Sequence, residues 1–162
     1  MERWWLDRTE DPQLICTTLA QATELVKLGA DPKTADMSWT KSVWTSATIY
    51  GEEGYCLFCY PDAQTSEDHE PTPCWSTNAM IDLLPEHINQ GEDVCHLYIY
   101  RDFYQHWTIM YECKGSGKGY AVNVQPTLRD AVFHMLKWYL TYKRDEQNRR
   151  DNNPANQGFR ED

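Results

Sequence analysis

The chain has 162 residues, of which 41% are hydrophobic and 25% charged, and its formal net charge at pH 7 is -10. This length suits one domain with a sizeable core and is too short for two comfortable ones. The negative charge argues against a nucleic-acid partner, because binding to phosphates requires clustered Lys and Arg, and no uninterrupted basic cluster is present.

The first predicted helix follows Thr18. Thr18 and Gln21 have the spacing of a capping box, and apolar residues recur at helical spacing through Leu28. Gly29 suits the left-handed position that ends a helix. Residues 43–60 then alternate as two strands around the sequence GEEG, and a polar, proline-rich loop follows.

A second helix is predicted to begin after Ser76, its N-cap, and to close at Pro85. The segments VCHLYIY, HWTIMYEC and YAVNV alternate as three further strands, and the last helix opens at Thr127. This order of elements is not a βαβ alternation. The predicted fold class is therefore α+β, a single domain in which an antiparallel sheet carries about three helices on one face.

Residues 143–162 form a polar C-terminal extension of this single domain, which we assign to residues 1–142. Two acid–base pairs in the extension have the four-residue spacing and the order that favour a helix. They are Asp145 with Arg149 and Glu146 with Arg150. We therefore expect the last helix to continue to about residue 150 and to give way to coil before Pro154. A projecting helix has little of its own chain to pack against, which raises the hypothesis of a homodimer.

Three sequence blocks point together to one family. They are ICTTLAQATELVKLGADPKTADMSW, PCWSTNAMIDLLPEHI and LRDAVFHMLKWYL. They resemble the family's CTTLEQSKKLLELG opening with its TADM motif, its PCWSLSALLELLP helix and its DAAFEMLCWLIEN final helix. Over most of residues 16–140, the chain thus resembles a family of small uncharacterised proteins that is common in gut Bacteroidetes genomes and their prophages. The resemblance implies a cytoplasmic protein of a mobile element and brings no catalytic residues.

A cluster of cysteines and a histidine is the first candidate site. Cys56, Cys59, His69 and Cys74, spaced C-x2-C-x9-H-x4-C, are ligand types that zinc accepts. However, Cys56 and Cys59 lie in CLFCYP, which alternates like a strand, so their side chains should point to opposite faces. We therefore expect buried, unreactive thiols and no stoichiometric zinc in the purified protein.

The motif QHWTI is the second candidate site. His106 and Thr108 form half of the paired signature of two-histidine phosphoesterases, and His96 in CHLYI is the only near second copy, with Tyr98 replacing the hydroxyl residue. His96 and His106 lie on strands that should pair, so two imidazoles acting as acid and base at one phosphate are the alternative hypothesis. The preferred interpretation is that both are partly exposed strand residues.

We therefore expect a non-enzymatic accessory protein of a mobile element or phage that binds another protein, and we expect no cofactor. No secretory signal or apolar run of about 20 residues is visible, so we expect a cytoplasmic protein that does not bind a membrane. Its six cysteines are then expected to be thiols, since disulfides are rare in the cytosol. Trp75 and Trp138 flank apolar stripes and are expected to be buried.

Overall fold

Within the described residues, the first and last elements are helices, and strands and one more helix lie between them. A computed structural model describes residues 16–41, 55–58, 71–115 and 117–152. In chain order, the elements are α1 (Leu19–Lys27), a 3-10 turn (Pro32–Thr34), β1 (Met37–Lys41), β2 (Tyr55–Phe58), β3 (Thr72–Cys74), α2 (Thr77–Asp82), β4 (His87–Gln90), β5 (Asp93–Arg101), β6 (Trp107–Cys113), β7 (Lys118–Gln125) and α3 (Leu128–Asp151).

The strands form two antiparallel sheets. One has the order β2-β1-β3, and the other is a meander with the order β4-β5-β6-β7. The α+β class is confirmed, although the structure divides the single expected sheet into two. Much of the predicted strand pair at 43–60 lies outside the described residues, and β1 begins earlier, at Met37.

The predicted helix starts are confirmed by their caps. Thr18 accepts a hydrogen bond from the backbone N–H of Gln21, and the Gln21 side chain accepts one from the N–H of Thr18, which completes the capping box. Gly29 follows the end of α1 with a φ of 95°, a left-handed conformation that glycine adopts without steric cost. At the starts of α2 and α3, the Ser76 side chain accepts a hydrogen bond from the backbone N–H of Ala79, and the Thr127 side chain accepts one from the backbone N–H of Asp130.

The four-stranded sheet has one covered face and one open face. Alternate residues of a strand point to opposite faces, and Ile109 and Tyr111 of β6 are fully buried on the face that α3 covers. We call the opposite side the outer face. It carries His87, Val94, His96, Tyr98, Tyr100, Thr108, Met110, Glu112, Val122 and Val124.

Helix α3 packs on β6 and β7 through its first half and then continues past them. Its buried residues are Ala131, Val132, Phe133, Met135 and Leu136. Beyond Tyr142 the side chains are mostly exposed, and the helix ends at Asp151, close to the expected residue 150. Of the two ion pairs expected there, Glu146 with Arg150 is present at 3.6 Å.

One hydrophobic core joins the helices to both sheets. Trp75 is fully buried in it, as expected, and its indole N–H donates to the Thr34 hydroxyl at 2.9 Å. Trp138 is only half-buried. The expectation of a buried Trp138 is therefore wrong, because this part of α3 lies at the margin of the sheet. The Trp138 ring stacks on Tyr142 with centroids 5.3 Å apart.

Cys95 and Cys113 are joined by a disulfide between β5 and β6. The expectation that all cysteines are thiols is therefore wrong for this pair. The two residues are direct cross-strand partners on the covered face, so the pairing of β5 with β6 places their side chains next to each other. A disulfide does not support the expected cytoplasmic location, which stays a prediction.

Candidate functional site

The two imidazoles of the phosphoesterase hypothesis lie at opposite ends of the β5–β6 hairpin. His96 is the cross-strand partner of Glu112, whereas the backbone carbonyl oxygen of His106 accepts a hydrogen bond from the backbone N–H of Asp102. Asp102 directly follows the end of β5, six residues after His96, which separates the two positions by about 20 Å at about 3.3 Å per residue. The strands pair as expected, but they do not bring His96 and His106 to one phosphate.

His106 and Thr108 have structural environments of their own. The backbone N–H of His106 donates to the Asp102 carboxylate at 2.8 Å, which closes the hairpin turn. The imidazole Nδ1 lies 3.9 Å from the same carboxylate. Thr108 is only 4% exposed, between its cross-strand partners Tyr100 and Val124. Its hydroxyl is therefore poorly placed to meet a substrate.

His96 has a different neighbour, His87 of β4. The two residues are direct cross-strand partners on the outer face, and their ring centroids are 6.2 Å apart. A hollow of about 350 Å³ opens beside His96. It is lined by Glu86, His96, Leu97, Tyr98 and Lys114.

The zinc hypothesis rests on four residues that the structure describes only in part. Cys59 and His69 lie outside the described residues, and the backbone of Cys56 is in β2, paired with Thr40. Cys74 is fully buried, and its sulfur lies 3.3 Å from both the hydroxyl and the carbonyl oxygen of Thr17. In the parts of the chain with described positions, no three His, Cys, Asp or Glu side chains are grouped to hold a metal.

Cys16 and Cys74 form a buried pair of thiols beneath α1 and α2. Both are fully buried, and a hydrogen bond between them, together with burial, raises the pKa of the Cys16 thiol. A thiol that stays protonated is a poor nucleophile. The same hydrogen bond lowers the pKa of the Cys74 thiol, while burial opposes that shift. The expectation of an unreactive Cys74 therefore rests on its complete burial and stays a prediction.

Among the described residues, most of the exposed large hydrophobic side chains lie on the outer face and at the tip of the β5–β6 hairpin. Two cross-strand rows run over β5, β6 and β7. They are Tyr98–Met110–Val122 and Tyr100–Thr108–Val124. At the tip, Phe103 is 92% and Tyr104 77% exposed, and their rings meet edge to face with centroids 5.7 Å apart. We call these two rows and the tip the aromatic surface.

Comparison of the chain with protein-family models, with curated proteins and with solved structures found no match. The resemblance to the prophage-associated family therefore stays a prediction. None of the helices in the described ranges combines the length and the apolar composition needed to cross a membrane.

Sequence reasoning missed β4, and with it His87. The signal was present, because Gln90 and Asp93 flank Gly91-Glu92, a two-residue turn with Gly first. Gly91 has a φ of 62°, as a hairpin turn of this kind requires. Recognising that turn would have paired HINQ with the strand that carries His96. No comparable local signal in the sequence predicts that the aromatic surface is exposed, since its aromatic and β-branched residues would also suit a strand covered by a helix.

Proposed function

We propose that this protein is a non-enzymatic accessory protein that binds another protein through the aromatic surface. The observation that carries the proposal is the exposure of Phe103 and Tyr104 at the hairpin tip. Exposing two adjacent large rings to water is unfavourable for a monomer. Aromatic residues of this kind are the usual anchors of protein interfaces.

The neighbouring rows extend this anchor into a contact area. Tyr98, Tyr100, Val122 and Val124 are each between 40% and 54% exposed, so a partner would remove apolar area from water beside the tip. The disulfide between Cys95 and Cys113 joins the two central strands of the sheet beneath them and restrains their relative movement. A rigid aromatic face loses little conformational entropy on binding.

The class of partner follows from charge as well as apolar area. Anionic membrane surfaces and nucleic acids attract basic proteins, whereas this chain has a net charge of -10. We therefore propose a partner protein with an apolar pocket for the tip. The proposed setting in a phage or other mobile element rests on the family resemblance.

The experiment compares capture of partners by four tagged full-length proteins from a lysate of the cells that encode them. The wild type is compared with Phe103→Ser, with Tyr104→Ser and with a control, Val26→Ser. Val26 is also an exposed apolar residue, but it lies on α1, away from the aromatic surface. Light scattering on each protein first identifies any self-association.

A captured protein is then purified and titrated against the same variants. We expect each tip substitution to weaken binding at least tenfold, because interface anchors contribute about 2 kcal/mol or more. Val26→Ser should bind as the wild type does. Equal affinity of all four proteins, or loss of binding in Val26→Ser as well, would contradict the proposal.

A further inference from the structure

From the cross-strand pairing of His87 and His96, we infer that this end of the outer face is a reversible binding site for a divalent transition-metal ion. The inference does not depend on the proposed protein partner, because the hairpin tip lies at the other end of β5. It concerns a different place from Cys56, Cys59, His69 and Cys74, where we expect no zinc. Imidazole nitrogen is a good ligand for Cu²⁺, Ni²⁺ and Zn²⁺.

The register makes this pair the closest kind of cross-strand neighbours. The N–H of Leu97 donates to the carbonyl oxygen of Glu86 at 2.9 Å, so those two residues form a hydrogen-bonded pair. His87 and His96, one step along each strand, therefore form a non-hydrogen-bonded pair, in which the side chains approach most closely.

The distance between the rings suits a shared ion. The centroids are 6.2 Å apart and the ring planes make an angle of 47°. Each ring nitrogen would lie about 2.0–2.1 Å from a bound Zn²⁺, and the centroid of an imidazole lies slightly more than an ångström behind its nitrogens. Small rotations about the side-chain bonds of His87 and His96 would bring one nitrogen of each to a common ion.

The strands that carry the two histidines are held on both sides. Cys95, next to His96, is bonded to Cys113, which joins β5 to β6. On the other side, the side-chain amide of Gln90 in β4 donates to the Tyr142 hydroxyl of α3 at 2.9 Å. A site on restrained strands loses little freedom when it binds an ion.

The surrounding charges favour a cation. Glu112 is the partner of His96 on β6, and Glu86 lines the hollow beside it. Among the described residues that line this hollow, Lys114 supplies the single ammonium group. The two imidazoles supply two ligands and water supplies the others, which fits the absence of a larger ligand group in the described ranges. Two protein ligands give a site that is filled and emptied reversibly.

The test is a calorimetric titration of tag-free, full-length protein with Ni²⁺ and, separately, with Cu²⁺, after treatment with a chelator. We expect saturable binding of one ion per chain, tighter for Cu²⁺ than for Ni²⁺. His87→Ala and His96→Gln should each abolish it. Two matched controls, His106→Ala and His134→Ala, remove exposed histidines elsewhere and should bind as the wild type does.

One further variant and one stability measurement keep the outcome clear. Cys59→Ser tests whether a thiol holds the ion, and it should leave binding unchanged. His87 is exposed, so His87→Ala should keep the wild-type denaturation midpoint, which separates loss of a ligand from loss of the fold. Absence of saturable binding, binding retained in His87→Ala and His96→Gln, or binding lost in Cys59→Ser would overturn the inference.

Discussion

The side-chain amide of Gln21 donates a hydrogen bond of 3.2 Å to the carboxylate of Asp130, 109 residues away. Each residue also belongs to the N-terminal cap of its own helix, Gln21 in α1 and Asp130 in α3. The Asp130 carboxylate further accepts hydrogen bonds from the Thr127 hydroxyl and from the guanidinium of Arg129. Two helix starts are thus held together by one carboxylate.

Asp130→Ala should destabilise the fold by about 1.5–3 kcal/mol, the range for hydrogen bonds to a charged group. The physical reason is that Arg129, whose side chain is only 10% exposed, would lose its ion-pair partner. Chemical denaturation of the purified variant measures the change. Glu92→Ala, in an exposed turn, is the control, and an equal effect of both substitutions would contradict a special role for Asp130.

The same carboxylate should make stability depend on pH. Burial raises the pKa of Asp130, but hydrogen bonds from Thr127, Arg129 and Gln21 outweigh it and hold the pKa below the usual value of 3.8. A lowered pKa contributes stability that is complete above the unfolded value and is lost as the pH falls through the folded value. We expect Asp130→Asn to flatten the loss of stability below about pH 4. Parallel pH profiles for the variant and the wild type would contradict this.

Trp75→Ala should cost about 3–5 kcal/mol, the range for removing a large buried aromatic side chain. Trp138→Ala should cost less, because its ring is half-buried. Trp75→Phe keeps most of the apolar volume but leaves Thr34 without the indole donor, and it should fall between the other two. Urea denaturation of the three variants tests this order. A midpoint for Trp75→Ala equal to that of the wild type would contradict it.

Opening the Cys95–Cys113 disulfide should destabilise the protein by about 3 kcal/mol in the chain-entropy model, since the two residues are 18 apart in sequence. Denaturation with and without reductant measures the loss. Alkylation of the denatured, unreduced protein followed by mass spectrometry should modify Cys16 and Cys74 but not Cys95 or Cys113. Alkylation of all four would show that the disulfide does not form in the isolated protein.

A chain that ends at Tyr142 tests the homodimer hypothesis. It retains the Tyr142 hydroxyl that bonds Gln90, and it loses an exposed helix with a surface ion pair, which contributes little to stability. We expect the truncated chain to keep its denaturation midpoint. Light scattering should show a dimer for the full chain and a monomer for the truncated one. Two monomers of equal stability would rule out self-association through the tail.

The sequence by itself determined the helix starts and the α+β class. Thr18, Ser76 and Thr127 each cap a helix within a few residues of chain. Such local hydrogen bonds and the spacing of apolar residues can be read without knowing the rest of the fold. The alternation of β5, β6 and β7 was predictable for the same reason, because it depends only on which side chains are apolar.

Only the tertiary structure decided which distant residues meet. Pairing registers place His96 beside His87 and far from His106, and they bring Cys95 onto Cys113. A register is set by the turns and by the packing of a whole face, and a shift of one residue would exchange the two faces. Side-chain type therefore indicated which residues could carry chemistry, while the pairing of strands determined which of them share a site.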